Sequence, residues 1–446
     1  METNHNSKSR RRFLGSAVTI GAISAVGIPG ILTSCSSKKG APLALPSFLD
    51  KAPDGTPIKA GLIGCGGRGT GAALNFLNAG PNLQITALAD MFQDRLDDCR
   101  KKLKEEKKVE IPNSNCFVGF DAYKKVIDSG VDLVILATPP YFRPEHFKAA
   151  IDARKHVFME KPVAVDPVGA RSVMATAKNA EAIGLCVVTG NQRRHQRDYL
   201  EVYARIASGA IGDIVSANCY WNQDRLWYVE PKPAWSEMEA MIRNWVNWTW
   251  LSGDHIVEQH VHNLDVINWY TGKWPVSAVG FGSRQRRITG DQYDNFSVDF
   301  VYEGNMHLHS MCRQINGCIN NVSEFIHGTE GYTDCQSNIW KADGKLLYAY
   351  EYPKDASGKP GKNVAVSPYD QEHIDLVTAI RKGKPINQAE DIAKSCLTAI
   401  MGRISAYTGR EVTWDEMMKS DLQLGPKELA LGKVDVDKIV PKPGND

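Results

Sequence analysis

The sequence predicts an α/β protein of two domains, a doubly wound parallel sheet followed by an α+β domain built on a mostly antiparallel sheet. Three observations carry this expectation. From Lys59 to Asp90 the chain reads as a strand, a glycine turn, a helix and a second strand that ends in an acid. Through Thr189, apolar strands alternate with helical segments, as parallel crossovers require. After Gly190 the strands alternate apolar and polar residues and are close enough in sequence to pair with their neighbours.

The first strand runs to Ile63 and the turn is Gly64-Cys65-Gly66-Gly67-Arg68-Gly69. Gly64 permits a tight turn, Gly66 lets the backbone approach a pyrophosphate, and Gly69 lets helix and strand pack closely. Gly67 and Arg68 complete the turn as expected cofactor contacts. The helix that follows is apolar at Ala72, Ala73, Leu74, Phe76 and Leu77. A lone G-x-G-x-x-G is a weak signal, but here a strand precedes it, a helix follows, and the next strand, Gln84 to Ala89, ends in Asp90. An acid about 20 residues beyond the glycines hydrogen-bonds the adenosine ribose of a dinucleotide. Met91 and Phe92 follow it, so a carboxylate with no adjoining arginine faces the ribose, and NAD is expected over NADP.

Val131 to Thr138 is a near-continuous apolar run, as suits a strand covered on both faces, and His156–Met159 and Leu185 to Thr189 are two more. Thr138, Pro139, Glu160 and Lys161 stand just beyond the C-terminal ends of such strands, where ligands collect in open α/β sheets. Pro162 favours an extended or turned geometry with access to a cis bond, which aims the Lys161 ammonium into the cleft. Later strands are expected over Ile214 to Trp221, Val276 to Phe281, Phe296 to Tyr302 and Met306 to Cys312, with a hairpin turn at Tyr302-Glu303-Gly304-Asn305. Helices at 373–382 and 389–407 close the chain, the second packing back on the first domain. The expected division is a dinucleotide-binding domain over 58–190 and a substrate and oligomerisation domain over 191–446.

The first 35 residues are an address. Ser9-Arg10-Arg11-Arg12-Phe13-Leu14 resembles a twin-arginine export signal, and the apolar run Ala17 to Leu32 is too short and glycine-rich for a membrane span. Leu32-Thr33-Ser34-Cys35 resembles a lipobox, which makes Cys35 the lipidated first residue of a periplasmic protein, tethered through residues 36–57. Removing residues 1–34 takes away four cations and one acid and moves the formal charge from +2 to −1, a balance that does not suggest nucleic acid. Export in the folded state allows a cytoplasmic nucleotide to be loaded first, so tight NAD retention is expected. Nine scattered cysteines beyond Cys35 show neither paired spacing nor a zinc pattern.

The glycine turn with Asp90, Thr138-Pro139, Glu160-Lys161-Pro162 and the histidine-rich stretch Gly253 to Asp265 resemble, over nearly all of the mature chain, the glucose-fructose oxidoreductase / inositol dehydrogenase / MocA family. That resemblance implies NAD-dependent oxidation or reduction of sugars and polyols. Relatives often continue Thr-Pro with asparagine and then histidine, where this chain has Pro140 and Arg143, so contacts in that loop do not carry over. The resemblance maps the family's proton-handling pair onto Glu258 and His262. Residues at i and i+4 share a helix face, so both can reach one hydroxyl. Lys161 then polarises the oxygen, His262 takes the proton, and Asp265 is placed to orient His262. His260 is counted with the substrate-binding residues. Glu258 and His262 could ligate zinc, but the order is not His-Glu-x-x-His and hydride transfer needs no metal, so none is expected.

Six tryptophans fall between Trp221 and Trp250. Trp245, Trp248 and Trp250 are expected in the core, whereas Trp221, Trp227 and Tyr228, in a proline-bearing loop, suit the C–H faces of a sugar ring. Arg193 is expected to line the same cleft. The primary expectation is an NAD-dependent dehydrogenase that oxidises a ring hydroxyl of a sugar or glycoside. The alternative is a redox-neutral, NAD-using glycosidase that oxidises a carbon transiently and cleaves by elimination. A non-catalytic sugar-binding lipoprotein comes third, and family habit suggests a dimer or tetramer.

Overall fold

The computed structural model describes Leu43, Leu45 and residues 48–361 and 365–444. The export signal and Cys35 lie outside the described residues. The first sheet has six strands, β1 (Ile58–Ile63), β2 (Leu83–Asp90), β3 (Cys116–Val118), β4 (Leu133–Leu136), β5 (His156–Met159) and β6 (Val187–Thr189). They are all parallel in the order β3-β2-β1-β4-β5-β6. The order reverses between β1 and β4, the position where a crevice opens beyond the strand ends. The apolar run of β4 explains its central place. Val134 and Leu136 enter one hydrophobic core while Leu133 and Ile135 enter the core on the opposite face.

The second sheet has nine strands: β7 (Ile214–Gln223), β8 (Ser277–Ser283), β9 (Asn295–Tyr302), β10 (Met306–Gln314), β11 (Asn321–Gly328), β12 (Gly331–Thr333), β13 (Asn338–Lys341), β14 (Leu346–Ala349) and β15 (Val412–Thr413). Their order is β14-β13-β12-β11-β7-β10-β9-β8-β15, and only the β7–β10 pairing is parallel. The β9–β10 hairpin closes through the three residues Glu303, Gly304 and Asn305, with Gly304 and Asn305 in the left-handed region at φ +80° and +60°. Trp221 belongs to β7 and not to the proline-bearing loop, which corrects one expectation.

Two late helices join the domains. Pro368–Lys382 begins earlier than its apolar periodicity suggests because Ser367 caps it and Pro368 takes its first position. Its Ile374, Leu376 and Val377 cover one face of the first sheet. Ala389–Thr408 lies between the two domains, where a single Arg403 nitrogen, Nη1, donates to Val165 O and Gly253 O at 2.9 Å each.

Candidate active site

The glycine turn has the shape its residues predict. Gly64 sits at φ +98°, and a Cβ there would lie 2.6 Å from the Ala137 carbonyl carbon, so only glycine allows β1 and β4 to end side by side. A Cβ on Gly69 would lie 1.8 Å from Gly64 O. Gly66 and Gly67 differ, because a Cβ on either meets nothing within 4 Å. They face open space at the N-terminus of the helix Gly67–Asn78, which no side chain caps. Uncapped N–H groups over an open glycine cradle fit a dinucleotide pyrophosphate.

Asp90 accepts from Cys65 N at 2.6 Å and Phe92 N at 2.9 Å, so its carboxylate is fixed at the end of β2. Burial raises its pKa, with the two N–H bonds and Arg95 opposing. Arg95 is therefore a nearby cation that its distance along the chain conceals. Arg68 lies back along the protein, with Nε 2.5 Å from Glu160 Oε1, Nη1 3.0 Å from Asn75 Oδ1 and its guanidinium over the Tyr369 ring. The Thr138 hydroxyl meets His146 Nδ1 at 3.3 Å, and Pro139 follows it at the rim of the cleft.

Lys161 precedes a cis peptide to Pro162. Its ammonium donates to Glu258 O at 2.7 Å and Glu258 Oε1 at 3.0 Å. The carbonyl is available because the helix is broken. One helical segment ends at Glu258 and the next begins at Val261, and His262 N turns back to Gln259 O rather than to Glu258 O. Glu258 and His262 thus do not share one regular helix as their spacing suggested. The break instead supplies an orphan carbonyl at the helix end for the lysine.

His262 is buried and stacks on Trp221, ring centroids 5.5 Å apart. Burial first, then the Lys161 and Arg193 charges, hold its pKa well below the usual histidine range, so the ring is neutral near pH 7. Its Nδ1 is buried without a hydrogen-bond partner among the described residues. Arg193 is ion-paired with Glu324, and its guanidinium lies 5.6 Å from the Trp221 ring. Lys161, Glu258, His262, Trp221 and Arg193 therefore form one cluster at the C-terminal end of β5.

Other expected site residues lie elsewhere. Asp265 does not orient His262, because its oxygens accept from Arg194 Nε and Nη2 at 2.9 Å each, Asn191 Nδ2 at 3.1 Å and Ser395 Oγ at 2.8 Å. It anchors the helix Ala389–Thr408 beneath the site. His260 is not a substrate ligand either. It points into the core, with Nε2 2.7 Å from Ser310 Oγ, and burial brings its pKa down to about 3. Trp227 and Tyr228 are about half exposed on the loop after β7, Trp227 resting edge-on against Trp245 and not against the Lys161 cluster. Trp250 is in the core as expected. Glu324 was not signalled by the sequence, since its role depends on β11 pairing beside β7.

Residues 58–189 match the family model described as an oxidoreductase family with an NAD-binding Rossmann fold, and residues 199–333 match the GFO/IDH/MocA C-terminal domain. The chain is 27% identical over 357 residues to scyllo-inositol 2-dehydrogenase (NADP(+)) of Bacillus subtilis, covering 75% of this chain and 90% of that protein. It is 28% identical over 217 residues to a glycosyl hydrolase family 109 protein of Streptomyces coelicolor, 47% of this chain and 44% of the relative. Its fold is similar to that of scyllo-inositol dehydrogenase from Lactobacillus casei with bound NAD(H) and scyllo-inositol, at TM-score 0.60 and 19% identity over 80% of this chain and 99% of that one.

Proposed function

This chain belongs to the GFO/IDH/MocA oxidoreductase family, and from that membership and its cleft we propose an NAD-dependent dehydrogenase that oxidises a ring hydroxyl of a cyclic polyol or sugar. The observation that carries the reading is the Lys161 ammonium, held by two Glu258 oxygens beside a neutral His262 and next to the glycine cradle. Gly66, Gly67 and Asp90 would hold the dinucleotide, and the bound nicotinamide supplies the hydride acceptor. Lys161 hydrogen-bonds the substrate oxygen and stabilises the negative charge that develops there. His262, neutral and with no side-chain hydrogen bond to Nδ1 among the described residues, takes the hydroxyl proton. Trp221 offers a flat apolar wall to the ring hydrogens.

The cleft also argues for an uncharged substrate. Lys161 is paired with Glu258 and Arg193 with Glu324. A phosphate or carboxylate would have to compete with two carboxylates already in place, whereas hydroxyl groups can share their donors and acceptors.

A second reading, a redox-neutral glycosidase that uses the same residues and returns the hydride, rests on the partial likeness to the glycosyl hydrolase family 109 protein, and the inositol dehydrogenases among the relatives favour the dehydrogenase over it. The proposal includes export by the twin-arginine route, periplasmic anchoring at Cys35 and NAD retained through purification. It also includes a homo-oligomer built on the outer face of the nine-stranded sheet, where Phe281 is 72% exposed beside Val279 and Met311. Phe281→Glu should then halve the mass seen by light scattering.

The test is a panel of inositols, free sugars and glycosides offered to the purified protein with its native nucleotide. Substrate-dependent NADH formation supports the dehydrogenase, many turnovers of released sugar without lasting NADH support the glycosidase, and neither product removes both.

A further inference from the structure

Arg143 occupies a place that physical chemistry makes expensive. It is 4% exposed, it opens the helix Arg143–Asp152, whose dipole disfavours a cation there, and no carboxylate pairs with it among the described residues. Burial pulls its pKa down to about 10, which still leaves it charged at neutral pH. Its donors explain why it stays. Nε donates to Thr138 O at 2.8 Å, and Nη1 donates to Glu160 O at 3.0 Å and Pro162 O at 2.7 Å.

Those three carbonyls belong to the loops at the ends of β4 and β5, and two of them bracket Lys161. The third is the carbonyl of Thr138, beside the backbone on which Gly64 packs. One guanidinium thus ties together the rim of the dinucleotide cradle and the carbonyls of the two residues on either side of the reactive lysine. Glu258, which receives that lysine, also contributes to the field at Arg143.

We infer that Arg143 is a positioning residue for Lys161, clamping the Glu160–Pro162 backbone so that the ammonium meets Glu258 and the substrate oxygen together. The inference rests on the proposed dehydrogenase reading for its kinetic consequence but not for its geometry. A histidine at 143 has too few donors for three carbonyls, and a lysine's three donors all sit on one nitrogen, whereas the guanidinium reaches them from Nε and Nη1 along a rigid fork.

The experiment compares the full-length wild type with Arg143→Lys and Arg143→Gln, each corrected for folded fraction by its far-ultraviolet circular dichroism. Two readouts are taken. The first is the rate at which Lys161 reacts with a small amine-acylating reagent, followed by mass spectrometry. Released from its two Glu258 contacts, the lysine should react about 5-fold faster or more in Arg143→Gln, with Arg143→Lys in between. The second readout is steady-state turnover of the polyol found to be a substrate. There kcat should fall about 10-fold to 100-fold, the cost of misplacing a catalytic group by about 1 Å, while KM and NAD affinity change less than about 3-fold.

Unchanged Lys161 reactivity with unchanged kcat would overturn the inference, as would a loss confined to NAD affinity, which would make Arg143 a cofactor contact. If no polyol is oxidised by the wild type, the dehydrogenase reading fails, and the acylation rates still decide whether Arg143 positions Lys161.

Discussion

Replacing Lys161 with methionine keeps the side-chain length and removes the ammonium, and the cost can be worked from the pair it leaves behind. The lysine and glutamate side chains are only 12% and 9% exposed, so water screens them little. Glu258 Oε2 already lacks a hydrogen-bond partner among the described residues, and without Lys161 the whole carboxylate is a buried charge with no hydrogen-bonded cation beside it. Breaking such a pair from one side costs about 3–5 kcal/mol, because the survivor must be buried unpaired or protonated. Glu258→Gln, which strands the ammonium instead, should cost a similar amount. In the double variant neither charge remains, so its loss should fall about 2 kcal/mol or more short of the sum. The assay is urea unfolding followed by tryptophan fluorescence in the presence of excess NAD. Losses that add to within about 0.5 kcal/mol would refute the pairing on which the mechanism stands. The same Lys161→Met protein should bind NAD and turn over about a thousandfold more slowly or worse.

The glycines separate folding from binding. Gly66→Ala should fold like the wild type without nucleotide and lose about 10-fold or more in NAD affinity, whereas Gly69→Ala, with its Cβ 1.8 Å from Gly64 O, should lose stability even without NAD; titration calorimetry and thermal melts distinguish the two. Asp265→Asn should destabilise by about 3 kcal/mol through Arg194 and leave the pH profile of kcat unmoved; a shifted profile would return Asp265 to the role of orienting His262. Folding stability should also fall in acid through His262. Its folded pKa is depressed, so below the unfolded value of about 6.5 the unfolded chain binds the proton that the fold refuses. The loss is about 1.4 kcal/mol per pH unit below that point, and His262→Asn should remove it from the slope measured by denaturation between about pH 6.5 and 5.

Much of this site is legible in the sequence because its parts are local. The glycine turn, Asp90 and Glu160-Lys161-Pro162 each sit at the end of a strand whose apolar run is unmistakable, so their position on the sheet follows from order alone. The family resemblance maps the proton-handling pair onto Glu258 and His262, although the helix between them is broken at Gln259 and His260, where neither glycine nor proline gives warning. What was not legible is long-range. Asp265 is three residues from His262 yet belongs to Arg194 and Ser395, and His260 turns to Ser310 on β10. Glu324 reaches Arg193 because β11 pairs with β7 across about a hundred residues of chain. The strands from β11 to β14 carry mixed polar and aromatic residues without clean alternation, so periodicity passes over them. Arg143 is visible in sequence only as a departure from the family's histidine, and its three carbonyl partners appear only when the ends of β4 and β5 lie side by side.

The most direct test of the account is a single-turnover experiment. The wild-type protein, purified with its nucleotide and given no added cofactor, is mixed with scyllo- or myo-inositol, glucose and a set of glycosides deuterated at each ring carbon in turn. The account predicts one equivalent of NADH per site with an uncharged cyclic polyol or sugar, slowed by deuterium at one ring carbon and absent in Lys161→Met. Full NAD occupancy with no hydride transferred from any of them, or equal transfer in Lys161→Met, would contradict it.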